Sequence, residues 1–206
     1  MAIAVLDIET VASDRIADYQ KSFEQDTSKK RILKSDKPGL HWLTSKVVCI
    51  CIKPLGKPIM TFCDEDENLI LTAFYEYLLG LRPVNLVTFN GQAFDIPFLY
   101  MRGLVHGLDF SALLPREKWS KLHVDLYEHL GGKWGLNAKL AEICWLLGID
   151  CISGTGGEVQ NLYDNQDFQK IIEHCTGDVE AIEQLYNRLF PHGRAEQKAN
   201  RQLSVS

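Results

Sequence analysis

The chain opens on a short apolar run, Ala2 to Leu6, that leads straight into two carboxylates, Asp7 and Glu9. In an extended backbone, residues at i and i+2 project from the same face, roughly 7 Å apart along the strand. Two anions so placed repel each other, and without a cation at least one tends to take up a proton. A strand closing on Asp7-Ile8-Glu9-Thr10 therefore makes physical sense where a hard, oxygen-seeking ion such as Mg²⁺ or Mn²⁺ can bind. A lone D-x-E also has a plainer reading, in which one acid caps the next segment or faces solvent. Other segments have to decide between the two. No basic region precedes the run and no small-residue cleavage site follows it, so it reads as a strand and not as a signal peptide.

Strand-like runs at 2–7, 46–53, 58–63 and 84–89 alternate with helix-like patterns near 65–81, 94–106, 136–147 and 167–190. That order predicts an α/β fold, a mixed sheet covered by helices. Lys57-Pro58 reads as a turn, so the second and third runs form an antiparallel hairpin. Leu136, Leu140, Ile143 and Leu147 share one helical face, ended by Gly148 at a C-cap position. Residues 1–191 read as one domain, and the polar segment 192–206, with almost nothing to bury, as a flexible tail.

With 46% hydrophobic residues the chain can bury a sizeable core, yet no apolar run approaches the roughly 18 residues of a membrane span. A soluble protein with no membrane partner is expected. Six cysteines (Cys49, Cys51, Cys63, Cys144, Cys151 and Cys175) lie in apolar segments without any C-x-x-C pair. This argues against a zinc ribbon or a disulfide framework and points to buried thiols in a reducing cytoplasm. The net charge of −5 argues against holding nucleic acid by overall field. It leaves room for a nucleic-acid enzyme whose carboxylates are neutralised by bound metal. The polar stretch from Gln25 to Lys46 carries Lys29, Lys30, Arg31, Lys34 and Lys37. It reads either as a mobile basic arm touching phosphates or as a solvated loop.

Two further segments carry acids in unusual places. In Phe89-Asn90-Gly91-Gln92-Ala93-Phe94-Asp95-Ile96-Pro97, Asn90-Gly91 makes a strand-to-helix turn and Pro97 fits only the first turn of a helix. Asp95 then lies near the helix start, where by itself it would be read as an N-cap. In Glu173-His174-Cys175-Thr176-Gly177-Asp178-Val179, His174 and Asp178 are four apart on one helical face, beside the apolar stripe of Ile171, Cys175 and Ile182. A carboxylate beside a buried stripe is costly unless paired or metal-bound. Gly177 inside a helix costs about 1 kcal/mol against Ala, which points to a close approach to the backbone there. Asp125, at the end of the strand-like His123-Val124-Asp125, reads as an N-cap rather than a ligand. The glycines of Gly154-Thr155-Gly156-Gly157 read as an ordinary turn.

Taken in order, D-I-E-T, N-G-x-x-F-D-x-P-F-L and H-C-x-x-D-V resemble the three motifs of the DEDD (DnaQ-like, ribonuclease-H-like) 3′→5′ exonucleases. The second motif looks most like the exonucleases related to family B DNA polymerases. The resemblance spans Asp7 to about Leu189. It implies a ribonuclease-H-like mixed five-stranded sheet with one antiparallel strand, flanked by helices. It further implies that Asp7, Glu9, Asp95 and Asp178 bind two divalent ions, Mg²⁺ or Mn²⁺, with Asp7 bridging them. Asn90 and Phe94 match positions that approach the terminal nucleotide, although Phe94 is as readily simple core. Thr10, which closes the first motif, is expected beside the substrate. In these families the water is oriented by a Tyr four positions before the last Asp or by a His five positions before it. Here the four-before position holds His174 and the five-before position Glu173. Imidazole titrates near neutrality, so His174 is expected to orient or deprotonate the water from the tyrosine register; a histidine packed on the helix surface is the alternative. The expected activity is metal-dependent hydrolysis of single-stranded or frayed DNA from its 3′ end. An exoribonuclease and a catalytically silent nucleic-acid-binding module are the competing readings.

Overall fold

Ala4, Val5 and Leu6 are fully buried on both faces of the opening strand, which puts that strand in the middle of a sheet. The structure is a computed structural model that describes residues 2–13, 39–115, 120–135, 137–151 and 157–191. Its strands are β1 (Ala2–Ala12), β2 (Ser45–Pro54), β3 (Met60–Cys63), β4 (Val84–Thr88) and β5 (His123–Asp125), in the order β3-β2-β1-β4-β5. β2 is antiparallel to both neighbours, whereas β1 and β4, and β4 and β5, pair in parallel. This is the mixed sheet with one antiparallel strand, and Lys57 N donating to Pro54 O (2.9 Å) closes the anticipated hairpin.

The helices are α1 (Glu67–Leu81), α2 (Asp95–Val105), α3 (Leu126–His129), α4 (Leu140–Leu147), α5 (Glu158–Asp164) and α6 (Phe168–Leu189). Period-2 alternation sorts the core into two layers. Ala4, Leu6 and Ile8 pack with Ile70, Leu71, Phe74 and Leu78 of α1 and Ile96 and Leu99 of α2. Val5 and Val11 face the other way, onto Ile171, Cys175, Val179 and Ile182 of α6 and Ile143 of α4. Asp7 and Glu9 share the parity of Val5 and so lie on the α6 side.

Three elements differ from expectation. β1 continues to Ala12, five residues past Asp7, because β2 runs beside it from Pro54 back to Ser45. β4, in contrast, pairs only with Ala2–Val5. α4 begins at Leu140 and not near 136: Asn137 has a φ of +45°, which no helical residue adopts, and Glu142 accepts from Lys139 N (2.7 Å) to start the helix. Gly148 ends it in the left-handed conformation, as its position predicts. The short α5 went unanticipated; it buries only Val159 and is held by Ala12 N donating to Gln160 Oε1 (2.8 Å). Leu136, the basic segment holding Lys29 to Lys37, Gly154 to Gly156 and the tail 192–206 lie outside the described residues. Among the described residues, no helix is long and apolar enough to cross a membrane.

One buried ion pair ties the α1–α2 layer to the sheet. Glu67, 5% exposed, accepts from Val47 N (2.7 Å), Arg102 Nε (2.8 Å) and His106 Nε2 (2.8 Å), and pairs with Arg102 Nη2. Removing one partner of such a pair leaves an uncompensated buried charge, at a cost of about 3–5 kcal/mol. Glu67→Ala is therefore expected to lose stability on that order in urea unfolding, and Glu67→Ala/Arg102→Met to recover much of it. An unfolding midpoint unchanged in Glu67→Ala refutes the tie.

Candidate active site

β1 outruns β4, so the half that carries Asp7 and Glu9 has strand pairing on one side only. On the open side, Ile8 N donates to Asp95 Oδ1 (3.1 Å), so the first residue of α2 takes the place of a strand partner. Asp95 is 4% exposed and is not an N-cap; the cap position belongs to Phe94, which makes no side-chain cap bond. Burial pushes the Asp95 carboxyl up to about 7, with help from Asp125 and Glu9 and against two backbone N–H groups that favour the anion.

Asp7 sits at the focus. Burial holds its proton affinity well above the usual carboxylate range, and the charges of Asp95, Glu9 and Asp178 add to the effect. From α6, Cys175 Sγ lies 3.6 Å from both the backbone carbonyl and the Oδ2 of Asp7. Cys49 and Cys51 of β2 join Cys175, placing three sulfurs within 4.8 Å of one another. The floor under Asp7 is thus apolar and polarisable, without a strong donor to neutralise the acid.

His174 lies inside this group. Its Nδ1 is 2.7 Å from Glu9 Oε1 and 3.9 Å from Asp178 Oδ2, and the ring is 8% exposed. Glu9, His174 and Asp178 offer ligand atoms all within 4.8 Å of one another, as do Asp7, Glu9 and Cys175. Burial raises Asp178 to about 6, with the neighbouring His174 pulling it down and Glu9 pushing it up. The i, i+4 spacing on α6 thus brings both side chains to the acids, and Gly177 between them is buried.

The remaining expected residues fall around the rim. Asn90 takes a left-handed φ of +63°, a conformation that Asn tolerates. Gly91 comes so close to β4 that a Cβ there would lie 2.5 Å from Thr88 Oγ1. Phe94 is half-buried and packs on Phe98, with ring centroids 5.4 Å apart. Thr10 is 8% exposed and its hydroxyl donates to Gly39 O, so it holds the loop at the strand exit. Asp125 does cap α3, accepting from Tyr127 N (3.0 Å). Sequence reasoning missed that Asp125 also accepts from Asn90 N (2.8 Å) and Gln92 N (2.9 Å), fixing the loop that leads to Asp95. The only sequence signal for this is an acid ending one parallel strand beside another strand that ends in Asn-Gly. The acids offer carboxylate oxygens of the kind that hard divalent cations take, with His174 and Cys175 among them.

Comparison with known proteins gives the family and the fold. A stretch of 48 residues is 44% identical to the catalytic subunit of DNA polymerase epsilon from Saccharomyces cerevisiae, covering 23% of this chain and 2% of that protein. A stretch of 54 residues is 35% identical to the corresponding protein of Schizosaccharomyces pombe, covering 26% of this chain and 2% of its length. The chain therefore spans a small fraction of the curated relatives it matches. The family B DNA polymerase from the archaeon Pyrobaculum calidifontis shares the fold, with a TM-score of 0.68 at 18% identity over 93% of this chain and 25% of that one. Residues 46–199 match the family described as "Predicted 3'-5' exonuclease related to the exonuclease domain of PolB"; Asp7 and Glu9 precede the matched span. Because that match covers well over half of the chain, the protein belongs to this family of 3′→5′ exonucleases related to the exonuclease domain of PolB.

Proposed function

We propose that this chain hydrolyses the phosphodiester bonds of DNA from single-stranded or frayed 3′ ends with two divalent ions, Mg²⁺ or Mn²⁺, and releases nucleoside 5′-monophosphates. One observation supports the reading above all: Asp95, Glu9 and Asp178, from three separate segments, all raise the proton affinity of the half-buried Asp7. A fold that gathers such mutually repelling groups is stabilised when cations replace protons. Asp7, Glu9, Asp95 and Asp178 would hold the ions, which would supply activation of the attacking water and neutralisation of the leaving 3′ oxygen.

The other residues bind and orient. His174 Nδ1 lies against Glu9 and near Asp178, among the acids, and from there His174 orients the water or takes its proton. Asn90, on the loop that Asp125 fixes, hydrogen-bonds near the terminal nucleotide, and the half-buried Phe94 packs against it. Thr10 acts through the Gly39 loop that its hydroxyl holds.

Purified protein with Mn²⁺ and end-labelled single-stranded DNA is expected to give stepwise shortening from the 3′ end, abolished by Asp7→Asn. Shortening of RNA alone assigns an exoribonuclease, and binding without cleavage assigns a silent module. His174→Ala is expected to lower kcat on the order of 10²-fold and to flatten the acidic limb of the pH–rate profile. Unchanged rates and profile remove His174 from the mechanism.

The raised carboxyls also set a pH dependence of folding. Asp95 at about 7 and Asp178 at about 6 bind protons more tightly in the folded chain than in the unfolded one, where Asp titrates near ~3.9. Their contribution to stability is full below that value and is lost as pH rises through the folded values. In EDTA, Tm is therefore expected to fall between pH 5 and 7.5, less so in Asp95→Asn. Millimolar Mn²⁺ is expected to suppress the fall, and a Tm profile indifferent to Mn²⁺ contradicts metal binding at these acids.

A further inference from the structure

Resting on the exonuclease reading above, we propose that Trp134 is a stacking platform for a base of single-stranded nucleic acid, carried on the Gly131–Gly135 turn beside the Asn90 loop. Its indole is 96% exposed, whereas Phe74 and Phe110 are buried. An indole left in water offers a large, flat apolar face to a partner.

The turn fixes the backbone beneath that ring. Gly131 and Gly132 take φ values of 99° and 55°, Gly135 N donates to Gly131 O (2.8 Å) and Asn137 N to Gly132 O (3.0 Å). A Cβ on Gly135 would lie 2.8 Å from Gly131 Cα, so only glycine closes the turn. The geometry also ties the turn to the active site. Tyr127 OH donates to Asn137 Oδ1 (3.2 Å), and the Tyr127 ring meets Phe89 edge-on at 5.5 Å, one residue before Asn90. Tyr127 N is held by the Asp125 carboxylate that also holds Asn90 N. Trp134 therefore stands at the carboxyl ends of β4 and β5, the end from which Asn90 and Asp95 act.

In the chain, exposed Lys133 precedes Trp134 and exposed Lys139 follows it by five residues, while the Glu128 carboxylate lies against Gly132 and Glu142 accepts from Lys139 N. What selects a base as the occupant is the flat, exposed indole face itself, on which any base can stack, with the lysines within reach of the adjoining phosphates. Trp145 on α4 is 84% exposed but has no cation in its own helix, and it serves as the control indole.

The test is binding in EDTA of an oligothymidylate of about ten nucleotides, read by tryptophan quenching and by anisotropy of a labelled strand. Trp134→Ala is expected to raise Kd roughly tenfold, Trp134→Phe to restore most of the affinity, and Trp134→Phe to remove the quenching that Trp145→Phe retains. A wild-type chain that shortens DNA in Mn²⁺ while Trp134→Ala binds as wild type overturns the platform and leaves the exonuclease reading standing. Quenching lost in Trp145→Phe instead overturns it equally. A wild type that neither binds nor shortens the strand overturns both.

Discussion

Half of β1 extends past the end of β4 and must satisfy its amides without a strand on that side. That constraint organises the site. Ile8 N finds Asp95, and the bond fixes the start of α2 against the strand that carries Asp7 and Glu9. The segment following β4 must therefore turn sharply, which accounts for the left-handed Asn90 and the tight Gly91. The acid that completes the strand edge is also one that repels Asp7. Satisfying the backbone and concentrating negative charge are one structural act.

A second layer of order comes from Asp125. A cap on a one-turn helix would be of local interest only, but this carboxylate spans two strand ends and holds the amides of Asn90 and Gln92 as well. The position of Asp95 therefore depends on β5 through the Asn90 loop. On the opposite face, α6 brings His174 and Asp178 to Glu9 over a floor of thiols. Sulfur donates weakly, so the floor fills space without relieving the charge above it.

Much of this was readable from local chemistry. The alternation of apolar runs gave the strand set, Lys57-Pro58 the hairpin, Gly148 the end of α4, and His174 and Asp178 their common face. These readings rest on residues whose backbone demands are met within a few positions. What escaped was non-local. The end of β1 depends on how far β2 runs beside it, the start of α4 on the positive φ of Asn137, and α5 on a hydrogen bond from Ala12. Asp95 looked like a cap because sequence shows the helix that follows and hides the strand edge it serves.

The acids come from opposite ends of the chain: β1 contributes two and the last helix one, with most of the sequence between them. No subset of neighbouring elements carries the full charge. A nascent or nicked chain that has not docked its last helix holds Asp7, Glu9 and Asp95 without His174 and Asp178, so the full charge arrives only with the last long-range contact. On the proposed function, cutting activity would then report on complete topology, and partly folded copies of this protein would be inert toward nucleic acid.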